Sequence, residues 1–152
     1  MSRDATIRPA LPEDLDGLLA LETAAFGGEA FSRRQLRYLL TRAKGTVFVA
    51  EDDGAIAGYL SLLIIRHCRR ARIYSLAVAA AYRGRGIAGR LVDQALAYAA
   101  REGLAPVFLE VGVENHTAIA LYEKKGFTRR MRKPGYYKDG SAAFSMMRRG
   151  AN

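Results

Sequence analysis

Three consecutive β-rich segments that lead into a glycine loop constrain the fold of this 152-residue chain most strongly. The first two segments lie within residues 46–66 and flank Asp53-Gly54, a dipeptide that favours a two-residue hairpin turn. A third segment, 73–78, follows the turn that residues 66–72 predict. Sequential strands joined by short turns pair antiparallel, so we expect three antiparallel neighbours.

The segment after these strands changes the topology. Residues 82–92, YRGRGIAGRLV, open a helix whose apolar positions from Ile87 to Ala99 share one face, and Gly103 is placed to end it. A buried strand follows at 106–111, which makes a strand–helix–strand crossover. The remaining patterns predict a strand ending at Pro9, helices over 12–26, from Ser32 and over 115–125, and strands near 127–132 and 142–147. We therefore expect one domain over residues 1–152, a mixed α/β fold with a mainly antiparallel central sheet and flanking helices.

Composition places the chain among ordinary globular proteins and favours an anionic ligand. Half of the residues are apolar, and neither a signal peptide nor a membrane span is evident, so we expect a soluble cytoplasmic protein without a membrane partner. The single cysteine, Cys68, excludes an intramolecular disulfide. The net charge of +9 favours polyanions such as a phosphorylated cofactor or nucleic acid, although a diffuse basic surface would also account for it.

The glycine loop has the spacing of two phosphate-binding motifs, and neither of them fits. Gly84 and Gly89 have the outer spacing of a Walker A loop, but no lysine and hydroxyl residue follow Gly89. With Gly86 they also match the dinucleotide fingerprint, yet five residues separate Val78 from the loop, and a hairpin series precedes it instead of a parallel βαβ unit. The property that both motifs share still applies to this loop. Glycines allow the backbone to come close to a ligand, and N–H groups at a helix N-terminus attract anions.

Three arginines strengthen this anion-binding interpretation. Arg83, Arg85 and Arg90 add positive charge at the start of the helix, where the helix dipole is already positive. A bound anion would relieve that conflict. The alternative is an exposed basic turn without a ligand.

A resemblance to a known family is carried by the loop and the segments that follow it. Arg83-x-x-Gly86-x-Ala88, between the strand SLAV and an amphipathic helix, resembles the acetyl-CoA loop of the GNAT acetyltransferase superfamily. The strand FLEV and the pattern N-x-x-A-x-x-LY-x-x-x-GF, from Asn115 to Phe127, follow in the family's order. The resemblance extends from about residue 6 to residue 147.

Within this superfamily the chain is most similar to the ribosomal-protein alanine N-acetyltransferase type. It shares LEV at 109–111, the AIALYE segment at 118–123, and the aromatic pair Tyr136-Tyr137. The chain differs from that type in two features. Gly112 stands where that type has an arginine, and the segment 140–147 has no acidic residue.

The resemblance implies an N-acetyltransferase that moves an acetyl group from acetyl-CoA to a primary amine, without a metal. It implies that Glu110 acts as general base and that Tyr122 protonates the departing sulfur. The residues that it implies for acetyl-CoA binding are Leu76, Ala77, Val78, Arg83, Gly84, Arg85, Gly86, Ile87, Ala88, Gly89 and Asn115. The implied acceptor is a protein N-terminus or a lysine side chain, with a small-molecule amine as the alternative, and the expected assembly is a monomer or homodimer.

Simpler structural roles stay open for the three side chains. Glu110 could be a solvated carboxylate at a strand end, Tyr122 a core aromatic, and Asn115 only a helix N-cap. A cluster of arginines at 66, 69, 70 and 72 is expected in an exposed turn. Acidic residues expected to line an acceptor cleft are Glu22, Glu29, Glu110, Glu114 and Asp139.

A function from another class competes with catalysis. Aromatic and basic residues alternate over 129–138, RRMRKPGYYK, which is typical of a nucleic-acid-binding surface. A non-catalytic acetyl-CoA sensor or nucleic-acid-binding module would need neither Glu110 nor Tyr122, so their presence favours the enzyme and makes nucleic acid the less favoured partner.

Overall fold

Seven strands and four helices form the ordered framework of residues 4–150, which the computed structural model describes. The strands are β1 (Thr6–Pro9), β2 (Gly45–Asp52), β3 (Ala55–Ile65), β4 (Arg70–Val78), β5 (Val107–Gly112), β6 (Thr128–Lys133) and β7 (Ala143–Arg148). The helices are α1 (Leu15–Phe26), α2 (Arg33–Thr41), α3 (Ile87–Arg101) and α4 (His116–Lys124). The ends of the predicted domain, residues 1–3 and 151–152, lie outside the described range.

The strands form one sheet in the order β1-β2-β3-β4-β5-β7-β6. Every neighbouring pair is antiparallel except β4 and β5, which are parallel and joined by the α3 crossover. The predicted mixed α/β fold with a mainly antiparallel sheet is therefore confirmed.

Local turn and cap chemistry explains where several elements begin and end. Asp53 and Gly54 have φ values of 52° and 88°, which is the left-handed backbone that a two-residue hairpin turn requires. Ser32 caps α2, since its hydroxyl accepts from the Gln35 N–H at 3.2 Å and its own N–H donates to the Gln35 side chain at 2.7 Å. Both predictions are confirmed.

Helices cover both faces of the sheet. Alternate β2 residues show the two faces, because Phe48 and Ala50 belong to the cluster packed under α3 and α4, whereas Val47 and Val49 belong to the cluster under α1 and α2.

Within residues 4–150, no helix is both long and apolar enough to span a bilayer.

The expected turn over residues 66–72 is wrong at its C-terminal end. A single 3-10 turn, Arg66–Cys68, is closed by Arg69 with a left-handed φ of 54°, and β4 already begins at Arg70. Strand pairing starts at once, with Ile65 opposite Arg70. Arg72 therefore lies in strand β4, and its side chain is half-buried instead of exposed in the turn as expected.

Candidate active site

The sheet splits between β4 and β5. These strands pair only at Ala71 with Val107 and at Arg72 with Phe108. Beyond that point β4 continues to pair with β3 as far as Val78, and β5 continues with β7 as far as Gly112. The facing edges of β4 and β5 thus diverge, and their backbone polar groups are available to a ligand in the gap.

Strand alternation decides which backbone groups of β4 face this gap. The Ala79 N–H donates to the Ala57 carbonyl at 2.8 Å, so Ala79 points toward β3. Because N–H and C=O groups of alternate residues point to the same side, Ala77 also faces β3, whereas Leu76 and Val78 face the gap. The Val78 carbonyl accepts from Arg83 Nε at 3.4 Å on that open side. Leu76 and Val78 fit the expected backbone contact, and Ala77 does not.

The glycine loop lies at the open end of the gap and runs into α3. Gly84 and Gly86 have φ values of +80° and +77°, and an added Cβ at either would meet no atom within 4 Å. Gly86 caps α3 and its carbonyl accepts from the Arg90 N–H at 3.1 Å. The N–H groups of residues 87–89 are those that a helix leaves without an internal partner, and the first turn of α3 has no acidic side chain. This end of α3 can receive phosphate groups.

Positive side chains surround that helix end. Arg83 and Arg85 are exposed, and the Arg85 guanidinium lies 5.2 Å from the centre of the Tyr82 ring. A Cβ at Gly89 would lie 3.6 Å from Lys125 Nζ, which also pairs with Asp93 at 2.9 Å. No sequence signal pointed to Lys125, because it occupies a variable position of the LY-x-x-x-GF pattern.

A cleft of about 390 Å3 occupies the gap and brings the predicted Glu110, Asn115 and Tyr122 together. Glu22 and Glu29 also line it, as expected. The other two acids expected there, Glu114 and Asp139, are not among the residues that line it. Its walls are formed by β4, β5, α1 and α4, by the segment between α1 and α2, and by the loop between β6 and β7. The lining residues are Glu22, Phe26, Glu29, Phe31, Arg72, Ile73, Tyr74, Ser75, Leu76, Leu109, Glu110, Val111, Gly112, Asn115, Ala118, Tyr122, Tyr136 and Tyr137.

Tyr122 is both a core residue and a wall of the cleft. It is 6% exposed and packs edge-on against Phe127, with ring centres 5.7 Å apart. Burial, followed by the proximity of Tyr137, raises the pKa of Tyr122 well above the ordinary phenol value. A phenol is already protonated at neutral pH at its ordinary pKa, so the hydroxyl carries the proton that a donor requires.

Asn115 caps α4, which was its simpler interpretation. Its side-chain oxygen accepts from the Ala118 N–H at 3.2 Å. The cap fixes the side chain at the edge of the cleft and leaves the amide nitrogen as a donor toward a ligand.

Glu110, on β5, is held between two cations, one from β4 and one from the end of β6. Its Oε1 lies 2.6 Å from Arg72 Nη2, and its Oε2 accepts from Lys133 Nζ at 3.1 Å. Its side chain is only 8% exposed, so it is not a solvated carboxylate at a strand end. Arg72 Nη2 also donates to the Tyr136 hydroxyl at 3.0 Å, which ties the loop between β6 and β7 to β4.

The rings of Phe31 and Tyr74, which no sequence motif indicated, form another wall of the cleft. Phe31 stacks on Tyr74 with ring centres 5.2 Å apart, and the Arg72 guanidinium lies 5.3 Å from the centre of the Tyr74 ring. The alternation of RARIYSLAV as one strand would have placed Arg72 and Tyr74 on the same side.

Glu22 is a buried carboxylate beneath this wall. It is 1% exposed and accepts hydrogen bonds from the Phe31 N–H at 2.8 Å and from the Tyr59 hydroxyl. Burial and the bond to Glu22 raise the pKa of Tyr59 above its ordinary value. These bonds fasten the segment after α1 to β3 and thereby fix Phe31.

Tyr137 covers the position at which the chain departs from the ribosomal type. A Cβ at Gly112 would lie 3.8 Å from Tyr137 Cε2, so the ring occupies space next to this residue.

In the part of the chain that the structure describes, no cluster of three or more His, Cys, Asp or Glu residues could hold a metal ion.

Curated relatives resemble the chain over most of its length. It is 32% identical to an N-alpha-acetyltransferase of Saccharolobus solfataricus over 96% of this chain and 93% of the relative. It is 29% identical to a putative ribosomal protein bS18-alanine N-acetyltransferase of Bacillus subtilis, with 91% of each chain covered. Two other relatives are longer, since the chain spans 39% of an uncharacterized Mycobacterium leprae protein and 60% of an uncharacterized N-acetyltransferase of Methanocaldococcus jannaschii.

Solved structures share the fold. The Escherichia coli ribosomal-protein-S18-alanine N-acetyltransferase aligns with a TM-score of 0.88 and 24% identity, over 97% of this chain and 95% of that one, which establishes the common fold. A chain of the NatC complex bound to Gag peptide and CoA aligns with a TM-score of 0.86 and 28% identity, over 97% and 99%.

The family model for the acetyltransferase (GNAT) family matches residues 15–127, from α1 through the GF turn. This range contains the split between β4 and β5, the glycine loop and the start of α4. The chain belongs to the GNAT acetyltransferase family.

Proposed function

We propose that this chain, acting as a single acetyltransferase domain, transfers the acetyl group of acetyl-CoA to a primary amine, with a protein N-terminus as the favoured acceptor. The observation that carries the proposal is the gap between β4 and β5, which has an anion-binding helix end at its mouth and Tyr122 and Glu110 in its walls. The relatives named for N-terminal acetylation support the choice of acceptor. The expected location and assembly are the cytoplasm and a monomer or homodimer.

Acetyl-CoA supplies an activated acetyl thioester and a phosphate group at the other end of a long amide-containing arm. In this proposal the residues from Gly84 to Gly89 receive the phosphates through backbone N–H groups, with Arg83, Arg85 and Lys125 adding positive charge. The outward-facing backbone groups of Leu76 and Val78 pair with the amides of the arm.

The reaction removes two protons from the acceptor ammonium and adds one to the sulfur, and the cleft has a group for the first removal and a group for the addition. Glu110 attracts the acceptor ammonium and accepts its proton, directly or through one water, while Arg72 and Lys133 hold the carboxylate in place. The neutral amine then forms a C–N bond to the acetyl carbon, the C–S bond breaks, and the nitrogen releases its second proton to water. Tyr122 donates its hydroxyl proton to the departing sulfur.

The acceptor would enter at the aromatic end of the cleft. Phe31, Tyr74 and Tyr137 line this entrance, and Glu22 and Glu29 give it negative charge that favours an ammonium group. A cationic acceptor is thereby attracted locally although the whole protein has a net charge of +9.

Tyr122→Phe tests the proposed chemistry. Thiol release from acetyl-CoA should depend on an added N-terminal peptide, and the substitution should lower kcat about 100-fold or more, since it removes the general acid. Calorimetric binding of acetyl-CoA should stay unchanged. Tyr98→Phe is the matched control, because this half-buried tyrosine packs against Phe48, away from the cleft.

The outcomes separate binding from catalysis. Acetyl-CoA binding without turnover on N-terminal peptides, lysine peptides or small amines would contradict the enzyme and favour a sensor. Equal losses in the Tyr122 and Tyr98 variants would contradict the assigned role of Tyr122.

A further inference from the structure

The positive charge of the chain is concentrated in its C-terminal part. Residues 124–150 contain nine lysines and arginines and one acidic residue, Asp139, which is a net charge of +8 out of +9 for the whole chain. The other residues are therefore almost balanced. A charge excess from general arginine enrichment would be spread along the chain, and this one is not.

The fold places this charge on one edge of the sheet. β6 is the terminal strand in the sheet order, and its residues from Thr128 to Arg132 are exposed. Arg129 pairs with Met146 and Arg132 with Phe144, so both side chains project on the α4 face, and Arg130 lies at the bulge between them. Lys124, at the end of α4, and Arg149, after β7, are also exposed. We call Lys124, Arg129, Arg130, Arg132 and Arg149 the β6 edge.

Within residues 4–150, most of these charges have no acidic partner. Arg129 lies 3.4 Å from Glu123, and both are about half exposed. For Arg130, Arg132 and Arg149, residues 4–150 provide no carboxylate within ion-pair distance. The positive potential of this edge is therefore not neutralised within the described fold.

We propose that the β6 edge binds the phosphodiester backbone of a nucleic acid. Protein interfaces have an apolar centre from which charged residues are depleted, whereas nucleic-acid interfaces are polar and strongly positive. β6 has the sequence TRRMRK, in which Met131 is the single apolar side chain, 62% exposed. This composition matches the second class and not the first.

The position of the edge gives it a consequence for the proposed function. β6 ends at Lys133, which pairs with Glu110, and the following loop carries Tyr136 and Tyr137 into the cleft. A nucleic acid on the edge would therefore lie next to the loop that lines the acceptor entrance. The binding itself does not depend on acetyl transfer.

Fluorescence anisotropy with a labelled single-stranded RNA, and with DNA of the same sequence, tests the proposal. The triple variant R130Q/R132Q/R149Q should bind about tenfold or more weakly, with a salt slope reduced by about two, because each lost phosphate contact removes about 0.7 from the slope. The matched control removes three exposed arginines around α2, R34Q/R37Q/R42Q, and keeps the same net charge as the edge variant. It should bind within about twofold of wild type.

Each alternative has its own outcome. Equal weakening in both triple variants would attribute binding to net charge and overturn the proposal. If neither RNA nor DNA binds, the proposal is overturned, and the exposed charges of β6 serve only to prevent pairing with another strand. Displacement of RNA by polyglutamate of equal charge and length, at equal concentration, would indicate an acidic protein partner instead. Unchanged melting curves and acetyl-CoA titrations verify that both variants are folded.

Discussion

Arg72 is the side chain that joins three parts of the cleft. It lies on β4, its guanidinium contacts Glu110 on β5, and it donates to Tyr136 in the loop after β6. Loss of a hydrogen bond to a charged group costs about 1.5–3 kcal/mol, which is about 10-fold to 100-fold in binding. We therefore expect Arg72→Gln to raise the acceptor KM about tenfold and to leave the Kd for acetyl-CoA unchanged. Steady-state kinetics with an N-terminal peptide, together with calorimetry, measures both.

Arg33→Gln is the control for this substitution. Arg33 pairs with Asp16 at 2.6 Å on the surface, where such a pair contributes little. An equal rise of the acceptor KM and the acetyl-CoA Kd in Arg72→Gln, or a rise of the acceptor KM in Arg33→Gln of the same size, would refute the positioning role of Arg72.

At the scale of elements, the glycine loop allows a sharp test. The effect of a substitution on backbone energy can be measured separately from its effect on ligand binding. Gly86 and Gly54 both have left-handed φ values, +77° and +88°, and a Cβ at either meets nothing within 4 Å. Alanine at each position should therefore cost a similar backbone energy, about 1–2 kcal/mol. Only Gly86→Ala should also weaken acetyl-CoA binding, since Gly54 lies in the turn of the β2–β3 hairpin and not in the loop that runs into α3.

Urea unfolding and calorimetry of the two variants test this difference. Similar acetyl-CoA affinities for Gly86→Ala and Gly54→Ala, at similar losses of stability, would show that the loop does not approach the ligand. A decrease for Gly86→Ala alone would attribute the affinity to the loop itself.

At the scale of the whole molecule, two buried phenols predict how stability depends on pH. Burial raises the pKa of Tyr59 and Tyr122 above the ordinary phenol value of about 10. The folded pKa exceeds the unfolded one, so the contribution is fully present below about pH 10 and declines above it, where only the unfolded chain loses these protons. The free energy of unfolding should fall by about 1.4 kcal/mol per pH unit for each buried phenol.

Urea unfolding followed by circular dichroism from pH 8 to pH 11 measures this slope. Tyr59→Phe should lower stability at pH 8 and reduce the slope above pH 10, because one titrating group is gone. Tyr38→Phe, at an exposed position, should change neither. A stability that stays flat to pH 11 in wild type would show that these phenols ionise equally in both states.

Local chemistry in the sequence determined most of the elements and the identity of the loop. The Asp53-Gly54 hairpin, the Ser32–Gln35 cap and the glycine loop before α3 each depend on residues within a few positions of one another. Backbone preference and capping act at that range, so a pattern of residue types is sufficient to predict them. The succession of strands and the crossover then indicated the mixed sheet.

Tertiary structure alone decided how the cleft is built. Arg72, Glu110 and Lys133 are far apart in sequence, and their ion pairs exist because the sheet brings together Arg72, where β4 and β5 stop pairing, Glu110 on β5, and Lys133 at the end of β6. The same holds for the bonds between Glu22 and Tyr59, which join α1 to β3. A local pattern carries no information on where two strands stop pairing, because that point depends on packing from both faces of the sheet. For this reason the sequence predicted Glu110 as a candidate base, whereas only the fold revealed the cations that hold it.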